Sequence, residues 1–247
     1  MRILLLDIET APNVAYVWGL FKQNIGIHAL VDSGYVLCWA AKWLGEEEIK
    51  FGSAQGGDSY EMLMQIHALL SEADAVVHYN GARFDIPTLN KEFIRLGIEP
   101  PAPYKQIDLL RTVRKEFRFV SNKLDYVAEA LGVRKKIKHA GFQLWIDCMQ
   151  DKPEAWEQMK EYNIGDIHVL EDVYIKLLPW IKNHPNIGLY NDEGHVCPNC
   201  GGKHLERRGF SYTALGKFQR FFCKECGTWS RSKKSEANKE LLQQDKN

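Results

Sequence analysis

The sequence predicts an α/β fold, a mixed sheet with helices packed on it, joined to a small cysteine-bearing module. Apolar runs of strand length come first and then alternate with helical periodicities, the order expected of one sheet covered by helices. Two Cys-x-x-Cys pairs lie close together near the C-terminal end. Charge is divided unevenly: residues 201–234 carry nine Lys and Arg against Glu206 and Glu225, a net +7 that the remainder offsets to give zero overall. At 247 residues there is room for one ordinary domain and a small appendage. A hydrophobic fraction of 45% with 26% charged residues is enough to build a core and excludes a disordered chain.

The elements follow in order. Arg2 to Asp7 reads as a buried strand, stopped at Thr10-Ala11-Pro12, and a long polar-aromatic connection runs through Trp18, Phe21 and Asn24. Tyr35 to Leu44 and Glu48 to Ser53 are two further strands joined by a turn at Gly45-Glu46. Gln55 to Ser59 caps a helix with apolar positions Met62, Ile66, Leu69 and Leu70. Ala75 to Tyr79 is a fourth strand, followed by a helix from Ile86 to Leu96, and Gln106 to Leu110 suggests a fifth strand. Helices are expected near Leu109–Phe117, Leu124–Leu131 and Phe142–Cys148. Asp151-Lys152-Pro153-Glu154 has the form of a capping box opening a helix that reaches about Ile181, with a core stripe of Ile167, Leu170, Tyr174, Leu177 and Ile181. Residues 1–185 are read as the main domain, 186–194 as a turn-rich linker, 195–232 as the cysteine module and 233–247 as a polar tail.

Three acidic stations punctuate the main domain: Asp7-Ile8-Glu9, Asp85 within Asn80-Gly81-Ala82-Arg83-Phe84-Asp85, and Tyr162-Asn163-Ile164-Gly165-Asp166. Asp7 and Glu9 are two apart on an extended segment and project to one side, while Tyr162 and Asp166 are four apart on a helix and share a face. Carboxylates gathered from distant segments repel unless cations sit among them. Hard oxygen donors of this kind suit Mg²⁺ or Mn²⁺, and two such ions about 3.5–4 Å apart activate water and stabilise a leaving oxygen. Each station taken singly has a plainer reading: Asp85 as a helix cap, Tyr162 with Asp166 as an exposed pair.

Together, in this order, the stations resemble the DnaQ-like 3′–5′ exonucleases of the ribonuclease H-like superfamily, in the subgroup with tyrosine in its third motif. Asp7-Ile8-Glu9 matches the first motif, Asn80 with Phe84-Asp85 the second, and Tyr162 with Asp166 the third. Glu161 excludes the histidine subgroup. The resemblance spans roughly residues 1–183 and implies a ribonuclease H-like five-stranded sheet with flanking helices. It also implies roles: Asp7 bridging two ions, Glu9 and Asp166 completing the ligand set of the first ion, Asp85 supporting the second ion, and Tyr162 orienting or deprotonating the attacking water. Asn80 and Phe84 lie where the family holds the terminal nucleotide. Asp108, a fifth acid at a predicted strand end, reads as structural or as a support behind the metal ligands.

Cys197-Pro198-Asn199-Cys200 and Cys223-Lys224-Glu225-Cys226 offer four thiolates in two tight knuckles, the donor set of a closed tetrahedral zinc site, with an iron–sulfur centre as the lesser alternative. Some 35 residues cannot bury a sufficient core, so the metal supplies most of the folding energy of what looks like a zinc ribbon. His195 and His204 are bystanders, and Cys38 and Cys148 are buried free thiols. Between the knuckles Arg207, Arg208, Lys217 and Arg220 alternate with Phe210, Tyr212, Phe218, Phe221 and Phe222, a composition suited to unpaired nucleic acid. The run Arg134-Lys135-Lys136 with Lys138 and His139 reads as a solvated surface or a phosphate contact, and Trp18 and Phe21 as core or as stacking platforms.

The expected function is therefore removal of nucleotides from 3′ ends, with DNA favoured over RNA and a polymerase or other replication or repair protein as a candidate partner. A structure-selective endonuclease of the same fold and a non-catalytic nucleic-acid adaptor are the alternatives. No apolar run has the ~18–20 residues that span a bilayer, and Ile3-Leu4-Leu5-Leu6 is too short for a signal-peptide core, so no membrane role and a cytoplasmic location are expected.

Overall fold

A computed structural model describes residues 1–134, 141–190, 194–238 and 240. The chain divides into two compact units, one from Arg2 to Tyr174 and one from Ile175 onward.

The first unit is built on a five-stranded sheet formed by β1 (Ile3–Thr10), β4 (Val36–Trp43), β5 (Ile49–Ser53), β6 (Ala75–His78) and β7 (Lys105–Asp108). Their order is β5-β4-β1-β6-β7; β1, β4 and β5 pair antiparallel, while β6 and β7 run parallel to β1. β2 (Val14–Ala15) and β3 (Leu30–Asp32) pair in a short ribbon inside the connection after β1. The helices are α1 (Ser59–Glu72), α2 (Asp85–Arg95), α3 (Leu109–Glu116), α4 (Leu124–Ala130), α5 (Gln143–Met149) and α6 (Pro153–Leu177). This is the mixed sheet with flanking helices that the sequence predicts, in the ribonuclease H-like arrangement.

β1 is central because it is apolar on both faces: Leu4, Leu5 and Leu6 are wholly buried, as both sheet faces carry helices or strand connections. Parallel pairing of β6 and β7 needs crossovers, which α2 and the segment after it provide. Met62, Leu63, Ile66 and Leu70 of α1 close one side of the core against Trp39, whose indole N–H donates to the Met62 carbonyl at 2.9 Å. β1 runs three residues further than the apolar pattern indicates, so both acidic residues of the first station lie within the strand.

Two expectations change, and one open alternative is removed. Leu109 and Leu110 belong to α3 and not to the fifth strand, because Asp108 caps that helix through its carboxylate, which accepts from the Leu110 amide at 3.1 Å. α6 starts at Pro153, so Asp151 is not its cap; Asp151 sits at φ 57°, and its carboxylate accepts from the Gly56 amide (3.1 Å) and the Trp156 indole (2.8 Å). Trp18 and Phe21 are not core: both rings are essentially fully exposed.

The second unit carries a three-stranded antiparallel sheet of β8 (Leu205–Thr213), β9 (Gly216–Cys223) and β10 (Trp229–Arg231), with β9 in the middle. Each knuckle closes through backbone bonds in both directions: Gly201 N–H to Cys197 O (2.9 Å) with Cys197 N–H to Gly202 O (2.8 Å), and Gly227 N–H to Cys223 O with Cys223 N–H to Thr228 O (both 2.9 Å). Gly201 and Gly227 sit at φ 73° and 81°, where a side chain would be strained. Asn199 fastens the first knuckle to the chain after α6, its amide donating to Leu178 O (2.8 Å) and Ile181 O (3.1 Å).

Candidate active site

Asp7 and Glu9 occupy the second half of β1, facing Ala40 and Cys38 across the ladder to β4. Both are half-buried while Ile8 between them is buried on the opposite face, the alternation the spacing requires. Asp166 is buried on α6, one turn beyond Tyr162. Carboxylate oxygens of Asp7, Glu9 and Asp166 lie within 4.8 Å of one another, so a strand and a distant helix bring three acids to one point.

Asp85 is not a member of that trio. It is the first residue of α2 and only 4% exposed, and its Oδ1 accepts from the Ile8 amide at 3.3 Å. The carboxyl therefore touches the β1 backbone between Asp7 and Glu9 and does not act as a simple cap. Burial pushes its pKa up to about 7; Asp108 adds to the rise, while the amide bonds from its own N–H and from Ile8 oppose it.

The loop before Asp85 is set by local sterics. Asn80 takes the left-handed conformation at φ 71°, which asparagine tolerates. Gly81 follows because a Cβ there would come within 2.5 Å of the buried His78 ring. Asp108 holds the loop by accepting from the Asn80 amide at 3.0 Å, a structural role as expected. Phe84 emerges 45% exposed and is not core.

Two residues that the sequence reading passed over complete the arrangement. Asn163 is wholly buried; its Nδ2 donates to Asp7 Oδ2 at 2.7 Å, and its Oδ1 accepts from the Cys38 thiol at 3.7 Å. That orientation satisfies both ends of the amide and fixes the Asp7 carboxylate. Burial, with Glu9 and Asp7 nearby, pushes the Cys38 thiol well above its ordinary range, so it stays a neutral donor. Trp145 on α5 donates its indole N–H to Glu9 Oε2 at 3.2 Å and meets the Tyr162 ring edge-on, centroids 5.9 Å apart. Tyr162 itself is 8% exposed. Beside Glu9, Thr10, Pro12, Phe142 and Trp145 line a cavity of about 390 Å³. The only sequence signals were Asn163 lying inside the third station and a tryptophan on a short amphipathic helix.

Of the charge run before α5, only Arg134 falls within the described residues; Lys135 to His139 lie outside them. Arg134 makes a bidentate pair with Asp172 of α6 (2.7 and 2.9 Å). Among the described residues no helix is long and apolar enough to cross a membrane.

Both donor sets fit the metals their chemistry suggests. Three carboxylates at this spacing are compatible with a hard divalent cation. In the second unit the sulfurs of Cys197, Cys200, Cys223 and Cys226 form one group within 4.8 Å, with Cys197–Cys226 and Cys200–Cys223 each at 3.6 Å. Bonds of about 2.3 Å to a tetrahedral zinc give sulfur–sulfur edges of about 3.8 Å, so the cluster is compatible with a zinc ribbon. His195 stacks on Phe221 and His204 faces Glu225, and neither is in the thiol group.

Comparison with known proteins gives the class. The family model of the RNase H superfamily matches residues 36–178, more than half of the chain. The chain belongs to the RNase H superfamily. That membership supports a nuclease; Asp7 and Glu9 lie ahead of the matched range. Among solved structures, the family B DNA polymerase from the hyperthermophilic archaeon Pyrobaculum calidifontis is similar, with a TM-score of 0.55, 22% identity and 72% of this chain covered. The similar region is 24% of that polymerase chain, and at this identity the likeness speaks for the fold. No curated protein matches the chain.

Proposed function

We propose that this protein is a metal-dependent 3′–5′ exonuclease of the DnaQ-like tyrosine subgroup, hydrolysing phosphodiester bonds at 3′ ends of nucleic acid, single-stranded DNA above all. The observation that carries the reading is the convergence of Asp7, Glu9 and Asp166 oxygens within 4.8 Å, with Tyr162 one helical turn from Asp166. In this reading residues 1–185 are the catalytic part and 195–232 a zinc ribbon.

Asp7, Glu9 and Asp166 would hold the divalent cations, Mg²⁺ or Mn²⁺, with Asp85 supporting the second from the Ile8 side. Bound there, such cations supply Lewis acidity to the phosphoryl oxygens and make water a competent nucleophile near neutral pH. The residues of the chain do the rest. Tyr162 orients the attacking water by its hydroxyl, its ring held by Trp145. Water attacks phosphorus in line, the bond from phosphorus to the 3′ oxygen breaks, and that oxygen takes up a proton. Asn163 and Trp145 keep the Asp7 and Glu9 oxygens aimed throughout. Phe84 and Asn80 contact the terminal nucleotide, and the cavity lined by Phe142 and Trp145 has room for a base.

Oligonucleotides labelled at one end test the reading. With Mg²⁺ or Mn²⁺ a 5′-labelled strand is expected to shorten one nucleotide at a time, and a 3′-blocked strand to resist. Cuts at internal positions would instead identify the endonuclease alternative.

A further inference from the structure

The ribbon sheet has two unlike faces, and the difference points to a use. Strand alternation with the observed register places Phe218, Arg220 and Phe222 of β9, Arg208 of β8, and Trp229 and Arg231 of β10 on one face. There each guanidinium lies on a ring: Arg208 over Phe222 at 4.8 Å, Arg220 over Trp229 at 4.8 Å and Arg231 over Phe218 at 4.3 Å. All three arginines are exposed, as is Trp229 at 48%. Glu206 offsets part of the charge by pairing with Arg208 (3.0 Å) and Lys224 (3.5 Å), which still leaves the face strongly positive.

The opposite face is committed elsewhere. Alternation turns Cys223 and Phe221 toward it, so it carries the thiol cluster, and His195 stacks on Phe221 there.

We infer that the Arg208–Arg220–Arg231 face is a binding surface for single-stranded nucleic acid, the arginines taking phosphates and Trp229 a base. The inference deepens the nuclease reading and rests on it for the identity of the ligand. Stacking on a ring restrains the guanidinium before binding, so little further freedom is lost when its N–H groups turn to a phosphate. The same planar groups offer bases a surface, and unpaired bases have both π-faces free to use it. Contact of this kind is indifferent to sequence, as a strand that must be handed along requires.

The test is fluorescence anisotropy of the full-length, zinc-loaded protein with 5′-labelled, 3′-phosphorothioate-blocked oligothymidylate, across a range of NaCl without added Mg²⁺ or Mn²⁺. The triple variant Arg208→Gln, Arg220→Gln, Arg231→Gln is expected to bind more than tenfold more weakly. Its log–log salt slope should be shallower by about 2, at roughly 0.7 for each lost phosphate contact. Trp229→Ala is expected to lose about tenfold, the order for one stacked base. Arg207→Gln, outside the stacked set, should leave the slope unchanged. Should the triple variant lose zinc, Arg220→Lys serves instead: charge and slope are kept while affinity falls with the lost stacking. Wild-type affinity and slope in the zinc-loaded triple variant, wild-type affinity in Arg220→Lys, or an equal loss in Arg207→Gln would overturn the assignment. No turnover is needed for the readout. A protein that binds through this face yet releases no nucleotide sinks the nuclease reading alone, and an active protein with unchanged binding in the variants sinks only the surface.

Discussion

At the scale of single residues, long-range hydrogen bonds from Asn163 to Asp7 and from Trp145 to Glu9 give the sharpest expectations. Asn163→Ala removes the donor to Asp7 and should raise the Mg²⁺ concentration for half-maximal activity by about 10–100-fold, the usual penalty for losing a partner of a metal-binding side chain. Trp145→Phe keeps an aromatic ring against Tyr162 but deletes the donor to Glu9, so a smaller shift in the same direction is expected from the same titration. Tyr162→Phe should slow turnover by about 10²-fold with the fold intact. Asp85 adds a pH dependence. Its folded pKa of about 7 lies above the unfolded carboxylate value, so its contribution to stability is present below about pH 4 and is lost as pH rises through about 7. Metal-free protein should therefore melt lower in mild alkali than in mild acid, and Asp85→Asn should flatten that difference in a thermal melt. The acids were legible in the sequence because two-residue and four-residue spacings encode a face. Asn163 and Trp145 were not, since their partners lie on a different element more than a hundred residues away, and no local pattern encodes such a pairing.

At the scale of elements, α6 supplies Tyr162, Asn163 and Asp166 together, so its seating against the sheet governs the site. One tie is the pair of Lys42 on β4 with Glu171 on α6 at 2.5 Å, with both side chains nearly buried (10% and 12% exposed). Glu171→Ala leaves the lysine charge buried and is expected to cost about 3–5 kcal/mol in denaturant unfolding, while replacing both partners by apolar residues of similar volume should cost far less. Periodicity located these elements well: the stripe Ile167, Leu170, Tyr174 is buried as its spacing requires. It failed at Asp151 and Leu109, where the deciding forces were a hydrogen bond from the distant Gly56 amide and a helix cap that a local apolar pattern does not register.

At the scale of the whole molecule, two units rest on different principles. The first buries a continuous apolar core around β1; the second has a thin sheet and a cluster of four sulfurs. On the zinc-ribbon reading proposed above, removal of the metal with a strong chelator, or Cys200→Ser, should abolish amide protection in β8 and β9, as read by hydrogen exchange. An apolar core and a group of paired cysteines leave distinct marks in composition, which is why the five-stranded sheet and the thiol cluster were both legible in the sequence. The central claim is that acids on β1 and α6 form one metal-dependent nuclease centre. Its most direct measurement is digestion of a 5′-labelled single strand by the wild type, Asp7→Ala and Asp166→Ala with Mg²⁺ or Mn²⁺. A mononucleotide ladder from the wild type alone is expected; undiminished digestion by either aspartate variant, or by the wild type without a divalent cation, would contradict it.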